Sequence, residues 1–335
     1  MSSTATTTGA NRSLFDRLPR LADLVPFMPL ADGLPTPVEQ VANGLWVQRD
    51  DLTSSVYGGN KVRKLEFTLP VAARRGGPVV TAGAVGSHHV LATAIHARRL
   101  GLDVASVRFP QPSSEEVSAT AAEVAEVAGM GSDHLDVPSS YLMPLGLAAL
   151  LGRSVGRAWL DRASSSPTLL WPGASTPLGT LGHVSAGLEL VAAFAATDQD
   201  EPDDVVCALG SGGTAAGLAV GIALGGWRRA RVVGVRAADR IVTNHVYLAP
   251  LVGGTLALLA LGGAAPVRPR LTIDGRWLGR GYGHPTTAGE AATEQAAALG
   301  LTVEPTYTAK ALAAALALAE PGRRVVFVQT YAGPR

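Results

Sequence analysis

The stretch DVVCALGSGGTAAGLAVGIAL, residues 204–224, decides the fold class. Val205 to Leu209 is an unbroken apolar run too short for a helix, the pattern of a strand covered on both faces of a sheet. Gly210 to Thr214 interrupts it as a tight loop, and Ala215 to Leu224 continues as a helix rich in Ala and Leu. Outward from there, Arg231 to Val235 is the next strand. The same order recurs upstream, with a strand at Val79–Thr81, a small-residue loop at Ala82–Gly86, a helix at His89–Leu100 and a strand at Val104–Val107. Downstream, Thr287–Leu299 and Ala309–Ala319 read as Ala-rich helices and Arg324–Gln329 as a last buried strand. Strands alternating with helices make an α/β chain with parallel sheets flanked by helices. The Ser-, Pro- and Gly-rich segment 162–177 reads as a crossing between domains.

Composition bounds the function. A chain of 335 residues has room for two domains or one large α/β unit. With 28 Lys+Arg against 27 Asp+Glu the net charge is +1, so no basic field exists to hold a nucleic acid backbone. A hydrophobic share of 47% against 16% charged excludes a disordered chain, and a single cysteine, Cys207, excludes an internal disulfide or a four-thiolate zinc site. Residues 1–12 are Ser/Thr-rich without an apolar core and read as a tail, not a signal peptide, which points to the cytoplasm. The apolar stretch Leu248–Val267 is broken by Pro250, Gly253, Gly254, Gly262, Gly263 and Pro266, so it reads as a buried helix with Gly-rich ends, not a membrane span.

Two clusters carry chemistry. In the loop Gly210-Ser211-Gly212-Gly213-Thr214, between strand and helix, backbone N–H groups and the helix N-terminus suit an anion such as a phosphate. The same residues with Ala215 satisfy a dinucleotide fingerprint, but that site expects an acid at the end of the next strand, where Val235 and Arg236 stand. A purely structural glycine turn is the third reading. The other cluster is Gly58-Gly59-Asn60-Lys61, opening a helix that continues Val62-Arg63-Lys64-Leu65-Glu66-Phe67. A lysine at a positive helix terminus is biased toward its neutral, nucleophilic form, which makes Schiff bases. Against this stands the reading of Lys61, Arg63 and Lys64 as a solvated helix face.

The ordered runs GGNKVRKLEF, GAVGSHHVLATA and GSGGTAAGL resemble the fold-type II, tryptophan synthase β-like pyridoxal-phosphate enzymes. More narrowly they are similar to the family of 1-aminocyclopropane-1-carboxylate deaminases and D-cysteine desulfhydrases. LPTPVE at Leu34–Glu39, GASTPLG at Gly173–Gly179, GYGHPT at Gly281–Thr286 and EPTYTAKAL at Glu304–Leu312 extend the likeness over nearly the whole chain.

The resemblance implies a two-domain enzyme, with 13–62 and 175–335 forming a large cofactor-binding domain, 63–174 a smaller inserted one, and pyridoxal 5'-phosphate in the cleft. It implies that Lys61, not Lys64, carries the cofactor, that Asn60 lies beside it, and that Gly210, Ser211, Gly212, Gly213 and Thr214 bind its phosphate. Ser87 would hold the substrate, with His89, Tyr282 and Thr330 near it and Tyr307 taking part in catalysis. His88 replaces the Asn that in this family meets the cofactor's phenolic oxygen, and an imidazole can donate, accept or carry charge where an amide cannot. Thr308 takes the position of the pyridine-nitrogen partner, which is Glu in the cyclopropane deaminases. Thr308 and Thr330 both point to the desulfhydrase side, while Gln329-Thr330-Tyr331-Ala332 departs from the family's His-Thr-Gly-Gly. The expectation is therefore a lyase acting on a small amino acid, D-cysteine first, as a homodimer without metal or membrane. A β-replacement synthase and a cyclopropane deaminase are the alternatives among enzymes, and a phosphate- or nucleotide-binding module is the alternative outside them.

Overall fold

The computed structural model describes residues 12–128, 133–161 and 165–333, so the tail lies outside the described residues except for Arg12. The strands among them are β1 (Val38–Ala42), β2 (Leu45–Gln48), β3 (Gly76–Ala84), β4 (Val104–Phe109), β5 (His134–Asp136), β6 (Ser166–Leu169), β7 (Asp204–Leu209), β8 (Arg231–Arg236), β9 (Leu271–Asp274) and β10 (Val325–Val328). They form two sheets. One runs β1-β2-β10-β7-β8-β9 and is parallel except for the β1–β2 hairpin; the other runs β5-β4-β3-β6 and is wholly parallel.

The alternation of side chains along a strand sorts β7 and β10 onto two cores. Val205, Cys207, Val326 and Val328 face Leu190, Phe194, Leu218 and Ile222, whereas Val206, Val325 and Phe327 face Ala311, Leu312 and Ala315. Helices thus cover both faces, as an all-apolar parallel strand requires. On the first face helices Pro177–Ala196 and Gly213–Gly225 pack backbone to backbone: a Cβ on Gly221 would stand 2.3 Å from the Val184 carbonyl oxygen. Helix Pro177–Ala196 is long and apolar enough to cross a bilayer, yet 72% of that window is buried inside the protein, which marks it as a core helix.

Two local expectations change. Segment 162–177 is not a plain crossing, because Ser166–Leu169 forms β6 and pairs with β3; residues 162–164 lie outside the described residues. β6 is an edge strand, where Pro167 removes no bond the sheet needs. The apolar stretch from Leu248 belongs to helix His245–Leu261, which is buried along one stripe only: Leu248, Leu251, Thr255 and Leu259 point inward while Val246 and Leu261 are 84% and 69% exposed. Stripe spacing of three and four residues gives it one inner face.

Candidate active site

In parallel sheets the loops after the strands' carboxyl ends form the crevice. Here the loops after β3, β4, β6, β7, β8 and β10 all open onto one cavity of about 460 Å³. Among the residues singled out in the sequence, Asn60, Lys61, Ser87, His88, His89, Gly210, Ser211, Gly212, Thr214, Tyr282, Tyr307, Thr308 and Thr330 line it. Gly213 does not; it starts helix Gly213–Gly225 and its N–H donates to Ser175 Oγ at 3.2 Å.

Lys61 sits in the first turn of helix Asn60–Arg75, and its Nζ donates to Asn60 Oδ1 at 2.7 Å. Asn60 Nδ2 in turn donates to Thr214 Oγ1 at 2.9 Å, tying the lysine to the glycine loop 154 positions away. Desolvation lowers the Lys61 amine to about 8, with Glu304 opposing the shift. The cavity therefore holds a lysine with an appreciable neutral fraction near neutral pH.

The solvated-face reading of this helix fails. Arg63 and Lys64 are 0% and 1% exposed. Arg63 is paired, to Asp50 at 2.9 Å and Glu189 at 2.8 Å. Lys64 Nζ has Ser175 Oγ at 3.3 Å, and burial followed by the charge of Lys61 lowers its pKa well below the usual range. Ser175 Oγ and Ser211 Oγ are 2.7 Å apart, so Lys64, Ser175 and the glycine loop form one cluster. Gly212 there has φ +86°, and a Cβ on Gly213 would stand 2.6 Å from Ser175 Oγ and 3.3 Å from Lys64 Nζ. A buried amine without a carboxylate, beside hydroxyls and a positive helix terminus, fits a bound phosphate, which would restore its proton. Together with the Lys61 amine this donor set fits pyridoxal phosphate. Helical spacing alone could not separate Lys64 from a surface lysine, because Ser175 lies 111 positions away.

Ser87 caps helix His88–Arg99, its Oγ accepting from Val90 N–H at 3.4 Å. His89 is buried, with Nε2 at 2.9 Å from Thr81 Oγ1. Thr81 gives its own hydroxyl proton to the Leu170 carbonyl at 2.8 Å, so His89 carries its proton on Nε2. Burial and the charges of Lys61 and Lys64 push its pKa well down and keep it neutral. His88, one residue earlier, has its ring between Tyr57 and Glu116: Nδ1 is 2.9 Å from the Tyr57 hydroxyl and Nε2 3.3 Å from Glu116 Oε1.

Across the cavity the Tyr307 hydroxyl donates to that of Tyr282 at 3.1 Å. Burial raises Tyr282 to about 12 and lifts Tyr307 well above the ordinary phenol, so both keep their protons. Thr308 is held by Glu304, whose carboxylate accepts from the N–H groups of Thr306, Tyr307 and Thr308 at 2.7–2.8 Å and caps helix Thr308–Leu318. Glu304 also lines the cavity, and burial raises its pKa while His88 opposes the rise. Its role was hidden in sequence because Glu304 stands ahead of the helix it caps, separated from it by Pro305, Thr306 and Tyr307.

The chain is also similar to known proteins. The chain is 33% identical over 213 residues to a putative 1-aminocyclopropane-1-carboxylate deaminase of Pyrococcus horikoshii, covering 63% of this chain and 61% of that one. It is 31% identical over 299 residues to a D-cysteine desulfhydrase of Klebsiella pneumoniae, covering 84% of this chain and 85% of that one. The crystal structure of an ACC deaminase homologue superposes with a TM-score of 0.75 at 29% identity, covering 96% of this chain and 95% of that chain. The model of the pyridoxal-phosphate dependent enzymes matches residues 30–330, and the chain belongs to that family.

Proposed function

We propose that this enzyme eliminates the β-substituent of a small amino acid, D-cysteine in the first instance, releasing pyruvate, ammonia and sulfide. The observation that carries the reading is the Lys61 amine, lowered to about 8 and held by Asn60 in a cavity whose other end is built for an anion. Pyridoxal phosphate, when bound, supplies an electron sink for the charge left when Cα loses its proton. Lys61 would hold the cofactor covalently and, once displaced by the substrate amine, move the α proton. Lys64, Ser211 and the N–H groups of Gly212 and Thr214 would hold the phosphate, with Ser175 holding Lys64, Ser211 and the Gly213 N–H in place. Ser87 and the loop around it would hold the substrate carboxylate, with neutral His89, Tyr282 and Thr330 about the side chain and Tyr307 as a proton-bearing group. Thr308 offers a hydroxyl, not a carboxylate, to the ring nitrogen, which suits a readily leaving β-substituent better than an unactivated cyclopropane.

A cytoplasmic homodimer belongs to the same reading; Trp159 and Leu160, 77% and 71% exposed, offer an apolar face to a second copy. A β-replacement synthase is the second reading, favoured by the His88–Tyr331 contact in the cavity. The experiment is an absorbance spectrum before and after borohydride, peptide mapping of the reduced cofactor, and pyruvate release from D-cysteine, L-cysteine and aminocyclopropane carboxylate. A band bleached by borohydride, label on Lys61 and pyruvate from D-cysteine are expected. Lys61→Ala abolishes band and turnover; a Lys61→Ala protein with full turnover would sink the assignment.

A further inference from the structure

The cavity contains a second hydrogen-bonded group that the elimination as described does not employ. Tyr57, 6% exposed, meets His88 Nδ1 at 2.9 Å, and Glu116 meets His88 Nε2 at 3.3 Å. The ring of Tyr331 stands edge-on to the imidazole, centroids 5.0 Å apart, and fixes its plane. These residues come from four separate places: the loop before helix Asn60–Arg75, the start of helix His88–Arg99, the first turn of helix Glu115–Ala128 and the segment after β10. Burial changes in one direction along the line. Tyr57 and His88 both border the cavity, while Glu116 is outside its lining with its side chain 29% exposed. The line thus runs outward from the cavity wall. Beside it a void of about 10 Å³, near the size of one water, is bordered by His88, Glu116, Glu304 and Tyr307.

Packing a tyrosine requires one partner for its hydroxyl. An imidazole with a cavity-facing hydroxyl on one nitrogen and a solvent-touching carboxylate on the other is an arrangement that carries protons. We propose that Glu116, His88 and Tyr57 form a proton relay to the substrate's β-substituent, extending the reaction to amino acids whose β-heteroatom cannot depart as an anion, a β-hydroxyl above all. This rests on the elimination reading. In its protonated form His88 donates Nε2–H to Glu116 and Nδ1–H to Tyr57 Oη, leaving the Tyr57 O–H for the substrate. The α proton goes to Lys61 and the electron pair it leaves becomes the Cα–Cβ double bond. As the Cβ–O bond breaks, its electron pair stays on the departing oxygen, which takes the Tyr57 proton and leaves as water. Tyr57 takes the Nδ1 proton, leaving His88 neutral with its Nε2–H still on Glu116, and Nδ1 regains a proton through Tyr57 from water that enters the cavity as product leaves. Tyr57 is the group that touches substrate; His88 reloads it, and Glu116 positions the His88 ring. The titratable groups facing His88 are Tyr57, Glu116, Tyr331 and Glu304.

The test compares the holoenzyme with Tyr57→Phe and His88→Asn on β-chloroalanine, whose chloride departs without a proton, and on serine, whose hydroxyl cannot, each as both enantiomers. Both variants are expected to lose about 100-fold more kcat/KM on serine than on β-chloroalanine. Equal losses on the two substrates overturn the relay, as does a wild-type enzyme that turns over β-chloroalanine but not serine. Pyruvate from neither overturns the elimination reading instead, and the relay is then decided without turnover by ¹⁵N spectra of histidine-labelled protein. A neutral His88 that carries its proton on Nε2, and loses that preference in Glu116→Gln, supports it; a neutral His88 protonated on Nδ1 overturns it.

Discussion

Arg63 and Lys64 are neighbours on one helix, both buried and both basic, and they have opposite surroundings. Arg63 meets two carboxylates, donating from Nε and Nη2 to Asp50 and from Nη1 and Nη2 to Glu189, with Thr36 Oγ1 at 3.0 Å. Burial alone would raise Asp50, yet Arg63 and His183 outweigh it and hold its carboxyl at about 2. Lys64 meets the Ser175 hydroxyl and the charge of Lys61, and burial lowers its pKa well below the usual range. The lesson concerns completeness. A buried charge whose partners are all in the chain belongs to the scaffold, whereas one whose partner is missing marks where a ligand of opposite charge belongs.

The largest effect expected of this comparison comes from removing the fully partnered cation. Arg63→Met leaves Asp50 and Glu189 buried and uncompensated between the first hairpin and helix Pro177–Ala196, and should cost about 3–5 kcal/mol. Urea unfolding of the cofactor-free protein measures it. A loss below about 1 kcal/mol would show that Arg63 is not the structural member of the pair.

Lys64→Met should act in the opposite sense on the empty protein. The amine's folded pKa lies below its unfolded value, so folding works against the charged form, and the opposition is present below the folded pKa and gone above the unfolded one. The variant is therefore expected to melt higher than wild type at pH 7 when cofactor is absent. With cofactor the order reverses, because a charge-assisted bond to phosphate is lost and affinity should fall about 10- to 100-fold. Thermal shifts with and without pyridoxal phosphate, and with inorganic phosphate alone, read both halves. Unchanged affinity would place the phosphate elsewhere.

The contrast also measures what was legible in the sequence. The strand, loop and helix from Asp204 to Gly225 were readable because their signals are local: an apolar run, then glycines, one of them at φ +86°, then helix formers. The β1–β2 hairpin carried an equally local signal in Asn43-Gly44, overshadowed by the strand-and-helix alternation. Lys61 stood out through a motif of four residues. Lys64 and the Glu116–His88–Tyr57 line did not, because their meaning lies in partners that only the fold brings near: Ser175 for Lys64, and Tyr57 and Glu116, 31 and 28 positions away, for His88. β6 was masked for a related reason, since Pro167 argues against a strand until its edge position is known.

The same helix carries a third buried charge that sharpens the comparison. Glu66 Oε1 accepts from the N–H groups of Leu30 and Ala31, both at 3.0 Å. Burial outweighs those bonds and the charge of Arg63, raising the carboxyl to about 7. A folded pKa above the unfolded value of about 4.5 means that folding favours the protonated form. That contribution is complete below pH 4.5 and is lost as pH rises through 7. Glu66→Gln keeps an acceptor for both N–H groups and removes the titration. Its advantage over wild type should therefore be about 3 kcal/mol at pH 8 and fall to about 1 kcal/mol at pH 5. Paired urea unfolding curves at the two values check the sign. An advantage that is larger at pH 5 than at pH 8 would mean that Glu66 is held as a carboxylate by Arg63, and so belongs with Asp50 and Glu189 as a full partner of that cation.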